Sequence, residues 1–144
     1  MRVDRFLSNL PCFNRKQVRL LLVEKRVRID GKTVSDPHAD VREFSRVEVD
    51  EQVLQPGKPL RHFMLNKPAG CVSATRDPQH PTVLDLIAEP DKDDLHIAGR
   101  LDFNTTGLML ITNDGSWSRR LTQPQTKLAK VYYVETEQDI GPEY

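Results

Sequence analysis

Gln55-Pro56-Gly57-Lys58-Pro59 constrains this chain more than any other stretch, because it interrupts 144 residues near their middle. The two prolines lack backbone donors and have a fixed φ, and the glycine between them lets the chain bend, so no helix or central strand can run through. A linker over about residues 51–60 predicts a small unit at 1–58 and a second unit beginning near Leu60 or Arg61 and continuing to 144. A mass of 16.5 kDa suits one small domain plus part of another.

In the first unit, Val3, Phe6, Leu7 and Leu10 recur at helical spacing and predict a short amphipathic helix ended by Pro11. Asn14 is a good N-cap for a second helix, from Arg15 to about Lys25, with Val18, Leu21 and Leu22 facing inward. Arg15, Lys16 and Arg19 share the face opposite this apolar one. Val27-Arg28-Ile29 alternates as a strand, Asp30-Gly31 is a hairpin turn into Thr33-Val34, and Val47-Glu48-Val49 supplies another short strand.

The charge of the whole chain balances, 21 Lys and Arg against 21 Asp and Glu, which alone would argue against a nucleic-acid partner. Its distribution argues the other way. Residues 1–32 carry Arg2, Arg5, Arg15, Lys16, Arg19, Lys25, Arg26, Arg28 and Lys32 against Asp4, Glu24 and Asp30. That excess can serve as a phosphate-binding surface or simply solvate two helices. Arg2-Val3-Asp4-Arg5-Phe6-Leu7, Arg15-Lys16-Gln17-Val18-Arg19 and Val27-Arg28-Ile29-Asp30-Gly31-Lys32 together resemble the S4 RNA-binding domain. In such a domain, helix-borne arginines grip RNA by the shape and phosphate positions of its backbone.

In the second unit, Phe63-Met64-Leu65 reads as a strand and Asn66-Lys67-Pro68-Ala69-Gly70 as the loop that ends it. Thr82 caps a short helix over Val83-Leu84-Asp85-Leu86-Ile87. The apolar run from Leu108 to Thr112 predicts a strand buried on both faces. Asn113-Asp114-Gly115 turns into a short helix over Ser116 to Leu121, halted by Pro124, and Lys130-Val131-Tyr132-Tyr133-Val134-Glu135-Thr136-Glu137 reads as a strand. Tyr132 and Tyr133 would then face opposite sides, Tyr133 packing.

Chemistry concentrates in Gly99-Arg100-Leu101-Asp102, followed by Thr106-Gly107-Leu108 and Asn113-Asp114-Gly115. A carboxylate in a Gly-bounded polar stretch, two residues from a guanidinium, suits an ionised nucleophile or base. These motifs closely resemble the RNA pseudouridine synthases. Met64-Leu65-Asn66-Lys67-Pro68 and His80-Pro81-Thr82-Val83 point to the branch acting on small-subunit (16S) ribosomal RNA. The resemblance implies Asp102 as catalytic aspartate, acting on the ribose or on the pyrimidine ring. It also implies that Arg100 keeps Asp102 charged and fills the space left by a flipped base, and that Tyr132 stacks on the uracil. Lys67 falls in the family's first motif, with a structural role favoured over a catalytic one. Family members need no cofactor or metal. The resemblance covers the whole chain but only the N-terminal part of the family's length, so the chain is expected to be a fragment or a shortened relative.

Competing chemistries lack their motifs: no P-loop, GxSxG elbow, HExxH or GxGxxG occurs. His38, His62, His80 and His96 are scattered without ligand spacing, and Asp91-Lys92-Asp93-Asp94 reads as a solvated loop. Cys12 and Cys71, without a CxxC partner, read as reduced, buried thiols. No apolar run reaches the roughly 18 residues of a membrane span and no signal peptide is evident, so a cytoplasmic address is expected. The expected fold is α+β: an S4-like domain, then part of a synthase domain with a mixed, largely antiparallel sheet and short helices. The expected partner is small-subunit ribosomal RNA or a ribosome-assembly intermediate, bound by a monomer. A non-catalytic RNA-binding module with an inactive second unit is the competing reading.

Overall fold

Asn14 begins the main helix of the first unit with a reciprocal cap: its side chain accepts from Gln17 N–H at 2.9 Å, and the Gln17 side chain accepts from Asn14 N–H at 2.8 Å. The computed structural model describes residues 1–142, so of the expected second unit Glu143 and Tyr144 lie outside the described residues. Contacts divide the chain between Leu60 and Arg61.

The first unit holds α1 (Val3–Ser8) and α2 (Arg15–Val23), then β1 (Val27–Ile29), β2 (Lys32–Val34), β3 (Val47–Val49) and β4 (Gln52–Gln55). The strands form an antiparallel sheet in the order β2-β1-β3-β4. Alternation on β1 and β3 sends Val27, Ile29, Val47 and Val49 inward, where they meet Val3, Leu7, Val18, Leu21 and Leu22 from the helices. Residues 36–41 fold back on the N-terminus, with Val3 N–H donating to Ala39 O at 2.8 Å and Val41 N–H to Met1 O at 2.7 Å. Both helices are shorter than expected: α1 stops at Ser8, ahead of Pro11, and α2 at Val23, because Lys25 takes a left-handed φ of 58°.

The expected linker is partly structure. Residues 52–55 are strand β4, and the Gln55 amide donates to Arg42 O and Ser45 O at 2.8 and 2.7 Å. Gly57, at φ 73°, lies so close to the 44–46 backbone that a Cβ would sit 2.8 Å from Phe44 O.

The second unit holds β5 (His62–Lys67), β6 (His96–Ala98), β7 (Gly107–Thr112) and α3 (Gly115–Thr122), with single 3₁₀ turns at Val83–Leu86, Lys92–Asp94 and Pro124–Thr126. β7 lies between β5 and β6, antiparallel to both. Phe63, Leu65, Met109, Ile111 and Ile97 share one sheet face and pack on Cys71, Val83, Leu84, Ile87 and Leu95. Asp114 caps α3, its carboxylate accepting from Ser116 and Trp117 N–H at 3.0 and 3.2 Å. Trp117 meets His62 with ring centroids 4.5 Å apart.

Four readings of this unit need correction. β7 is buried along one face by Met109 and Ile111, while on the other burial runs from Thr112, fully enclosed, through Leu110 to Leu108, which is 65% exposed. Asn66 and Lys67 lie in β5, not in the following loop, because each has a cross-strand partner on β7. Asp91–Asp94 is no freely solvated loop. Arg61 donates to Pro90 O and Asp91 O and pairs with Asp94, while the Lys92 ammonium caps Leu84 O and Ile87 O at 2.9 and 3.1 Å. Finally, the expected strand over 130–137 does not form. Residues 127–142 are irregular, no ladder partner adjoins them among the described residues, and strand propensity without a partner does not make a strand. Tyr133, read as a packing residue, is 88% exposed. Of the two thiols, Cys71 is buried but Cys12 is exposed, since it follows Pro11 in the turn between α1 and α2.

Candidate functional site

Lys67 ends β5 with its side chain fully buried, and its ammonium meets no carboxylate among the described residues. It donates to the carbonyls of Pro68, Asp102, Phe103 and Thr105 at 3.0, 3.0, 3.1 and 2.9 Å. Three of these belong to a single turn, closed by Thr105 N–H on Asp102 O at 3.0 Å. A buried cation surrounded by carbonyl dipoles holds that turn from beneath. Gly70 N–H donates to Phe103 O at 2.9 Å, and the Ser73 hydroxyl donates to Leu101 O while accepting from Leu101 N–H at 3.0 Å. Left-handed φ values of 101° at Gly99 and 142° at Gly107 let the chain enter and leave the turn.

The side chain of Asp102 projects from this turn into solvent, and Arg100 is exposed beside it in sequence. Neither side chain has a hydrogen-bond or ionic partner among the described residues, since both leave an irregular segment toward water. Tyr132 is 58% exposed on the irregular segment that replaces the expected strand, so its place beside Asp102 stays an expectation of sequence. No group of three His, Cys, Asp or Glu side chains able to hold a metal occurs among the described residues.

In the first unit all nine basic candidates are exposed. Arg2, Arg5, Arg15 and Arg19 line an open groove of about 800 Å³ between α1 and α2, with Val18 and Leu22 among its walls. Arg15 and Arg19 therefore flank the apolar stripe of α2 instead of opposing it. Lys16, Lys25, Arg26, Arg28 and Lys32 do not line this groove. Arg26 is committed elsewhere: it pairs with Asp50 and Glu24, which raises its pKa and lowers that of Asp50. Arg2 grips Asp4, whose pKa falls chiefly through that hydrogen bond.

The geometry is thus an exposed carboxylate on a braced turn in one unit and an arginine-lined groove in the other. A family profile described as RNA pseudouridylate synthase matches residues 61–143, and the S4 domain profile matches residues 1–47. This chain belongs to the RNA pseudouridylate synthase family. Among curated members, "Ribosomal small subunit pseudouridine synthase A" of Pseudomonas aeruginosa is 62% identical over all 144 residues. The proteins of that name from Yersinia pestis and Escherichia coli K12 are 45% and 40% identical over 98% of the chain. The chain spans 63%, 60% and 61% of these three relatives' lengths.

Within this family member, residue-by-residue reading had overlooked Ser73 and Phe103 and the grip that Lys67 exerts. The Asn-Lys-Pro-Ala-Gly string suggests a structural role for Lys67 in a loop, but not what the side chain holds. Its burial is a consequence of β5 pairing with β7, a contact between residues some forty positions apart.

Proposed function

We propose that this chain carries the RNA-docking unit and the catalytic aspartate of a pseudouridine synthase acting on a uridine of small-subunit ribosomal RNA. One observation supports this most: Asp102 is displayed to solvent from a turn whose backbone is tied down by Lys67, Gly70 and Ser73. A carboxylate that must reach an extruded nucleotide has to be accessible, and one that must hold a fixed attack geometry needs a rigid base. The names carried by the relatives supply the substrate class.

In the reaction the uridine's N-glycosidic bond breaks, the base turns, and a bond forms between the ribose and carbon 5 of the ring. The hydrogen on carbon 5 leaves to solvent as a proton, and N1, freed from the ribose, takes up one proton in its place, so the product is an isomer of uridine. Asp102 is the nucleophile or base for this rearrangement, on the ribose or on the pyrimidine. Arg100, its guanidinium unengaged among the described residues, is free to fill the gap in the RNA stack. Tyr132 serves as the aromatic wall against uracil once it is brought to the site. The arginine groove between α1 and α2 holds the phosphate backbone. We assign a monomer acting on ribosomal RNA or an assembly intermediate in the cytoplasm; among the described residues no helix is long and apolar enough to cross a membrane.

The test is release of tritium from small-subunit rRNA labelled at uracil carbon 5. The chain should release it, and Asp102→Asn should reduce release to background while RNA binding persists. Undiminished release by the variant, or none by the unaltered chain, would overturn the reading.

A further inference from the structure

Phe103 follows Asp102 directly and is 38% exposed although it is a large hydrophobic. Its backbone is held at the carbonyl, which accepts from both Lys67 Nζ at 3.1 Å and Gly70 N–H at 2.9 Å. The ring itself is braced. His80 lies across it with centroids 5.3 Å apart and planes inclined at 72°, an edge-to-face contact. His80 is in turn fixed by Asp77, whose carboxylate accepts from Gln79 N–H, His80 N–H and the His80 ring at 2.8, 2.7 and 3.3 Å. A carboxylate has no proton to offer, so Nδ1 carries the hydrogen in that contact. An Asp-anchored loop thus supports an aromatic ring next to the proposed nucleophile, and the ring packs in no core cluster of its unit.

A rigid, half-exposed aromatic face beside a site for unstacked RNA has an obvious ligand chemistry. Bases splayed from single-stranded RNA stack on such faces, and preorganisation of the ring lowers the ordering cost of binding. We propose that Phe103, braced by His80, is a stacking platform for an unpaired RNA base neighbouring the uridine presented to Asp102. This rests on the proposed function for the identity of the RNA, but not for the stacking itself. It also gives His80-Pro81 a physical purpose: the loop holds the ring that holds the base.

The test uses a uridine-rich RNA of about eight nucleotides with one 2-aminopurine beside its central uridine. Binding to the full chain should quench the 2-aminopurine. Phe103→Leu, which keeps apolar bulk but removes the π face, should abolish the quench and weaken binding about tenfold. Phe103→Tyr should restore most of both. His80→Leu leaves the ring but removes its brace and should diminish the quench, which covers the case in which Phe103→Leu fails to fold. Quench unchanged in Phe103→Leu and His80→Leu, or losses in Phe103→Tyr as large as in Phe103→Leu, would overturn the platform. Tritium release measured in parallel separates the two ideas. Release by the unaltered chain with no effect of Phe103→Leu on quench or affinity sinks the platform alone. Quench without release sinks the isomerase reading and leaves the platform standing.

Discussion

Lys67 shows how much one side chain can decide. Its ammonium is out of contact with water, yet it faces four carbonyl oxygens instead of an acid, so the site gains a fixed turn without a competing carboxylate beside Asp102. Hydrogen bonds to a charged donor contribute about 1.5–3 kcal/mol each, and unpaired buried acceptors cost a similar amount. Lys67→Met preserves the aliphatic stem but removes the shared ammonium donor: Asp102 O and Phe103 O keep only the Thr105 and Gly70 N–H groups, and Thr105 O loses the Lys67 bond. We expect it to lower unfolding stability by about 2–4 kcal/mol, measured by urea titration. Tritium release should fall as well, mainly in kcat, because the turn carrying Asp102 loosens. A variant with unaltered kcat would show that the turn holds its shape without the ammonium.

At the scale of elements, the two hairpins of the first unit differ instructively. Asp30-Gly31, with φ of 51° and 78°, is the Asp-Gly pair that a tight turn favours, and it was legible at once. Asp50-Glu51 makes the same excursion, φ 49° and 66°, without a glycine, and β4 was therefore missed. What holds this less favourable turn is tertiary: the Arg26 guanidinium grips the Asp50 carboxylate from 24 residues away. That hydrogen bond lowers the Asp50 pKa, so the folded state binds fewer protons there than the unfolded chain does. Its contribution is fully present above the ordinary carboxylate range, near pH 4, and is lost as pH falls through the depressed folded value. Asp50→Asn should consequently flatten the acid side of the stability curve, read by urea unfolding across about pH 5 to pH 2.5. An unchanged curve would place the acid sensitivity elsewhere.

For the molecule as a whole, a balanced net charge conceals its segregation. Arg2, Arg5, Arg15 and Arg19 converge on one groove from two helices, and helical spacing brought Arg15 and Arg19 together where sequence alone had also included Lys16. If the groove carries phosphates, the logarithm of RNA affinity should fall linearly with the logarithm of salt concentration. Arg15→Ala combined with Arg19→Ala should reduce the slope by about 1.4–1.8, and Lys16→Ala by distinctly less. Equal effects of Lys16 and the arginine pair, in filter binding across a salt series, would dissolve the groove into a general basic surface.

Local chemistry was enough to locate the Asn14-capped helix, the Asp-Gly hairpin and the break near residue 60, because caps, turns and side-chain periodicity are decided within a few residues. Pairing across the chain settled the rest. Whether 107–112 buries one face or two, whether 130–137 becomes a strand, and whether Lys67 is solvated or enclosed all depend on which distant segment lies alongside. A strand's hydrogen bonds and a lysine's desolvation are completed by neighbours that no short window contains.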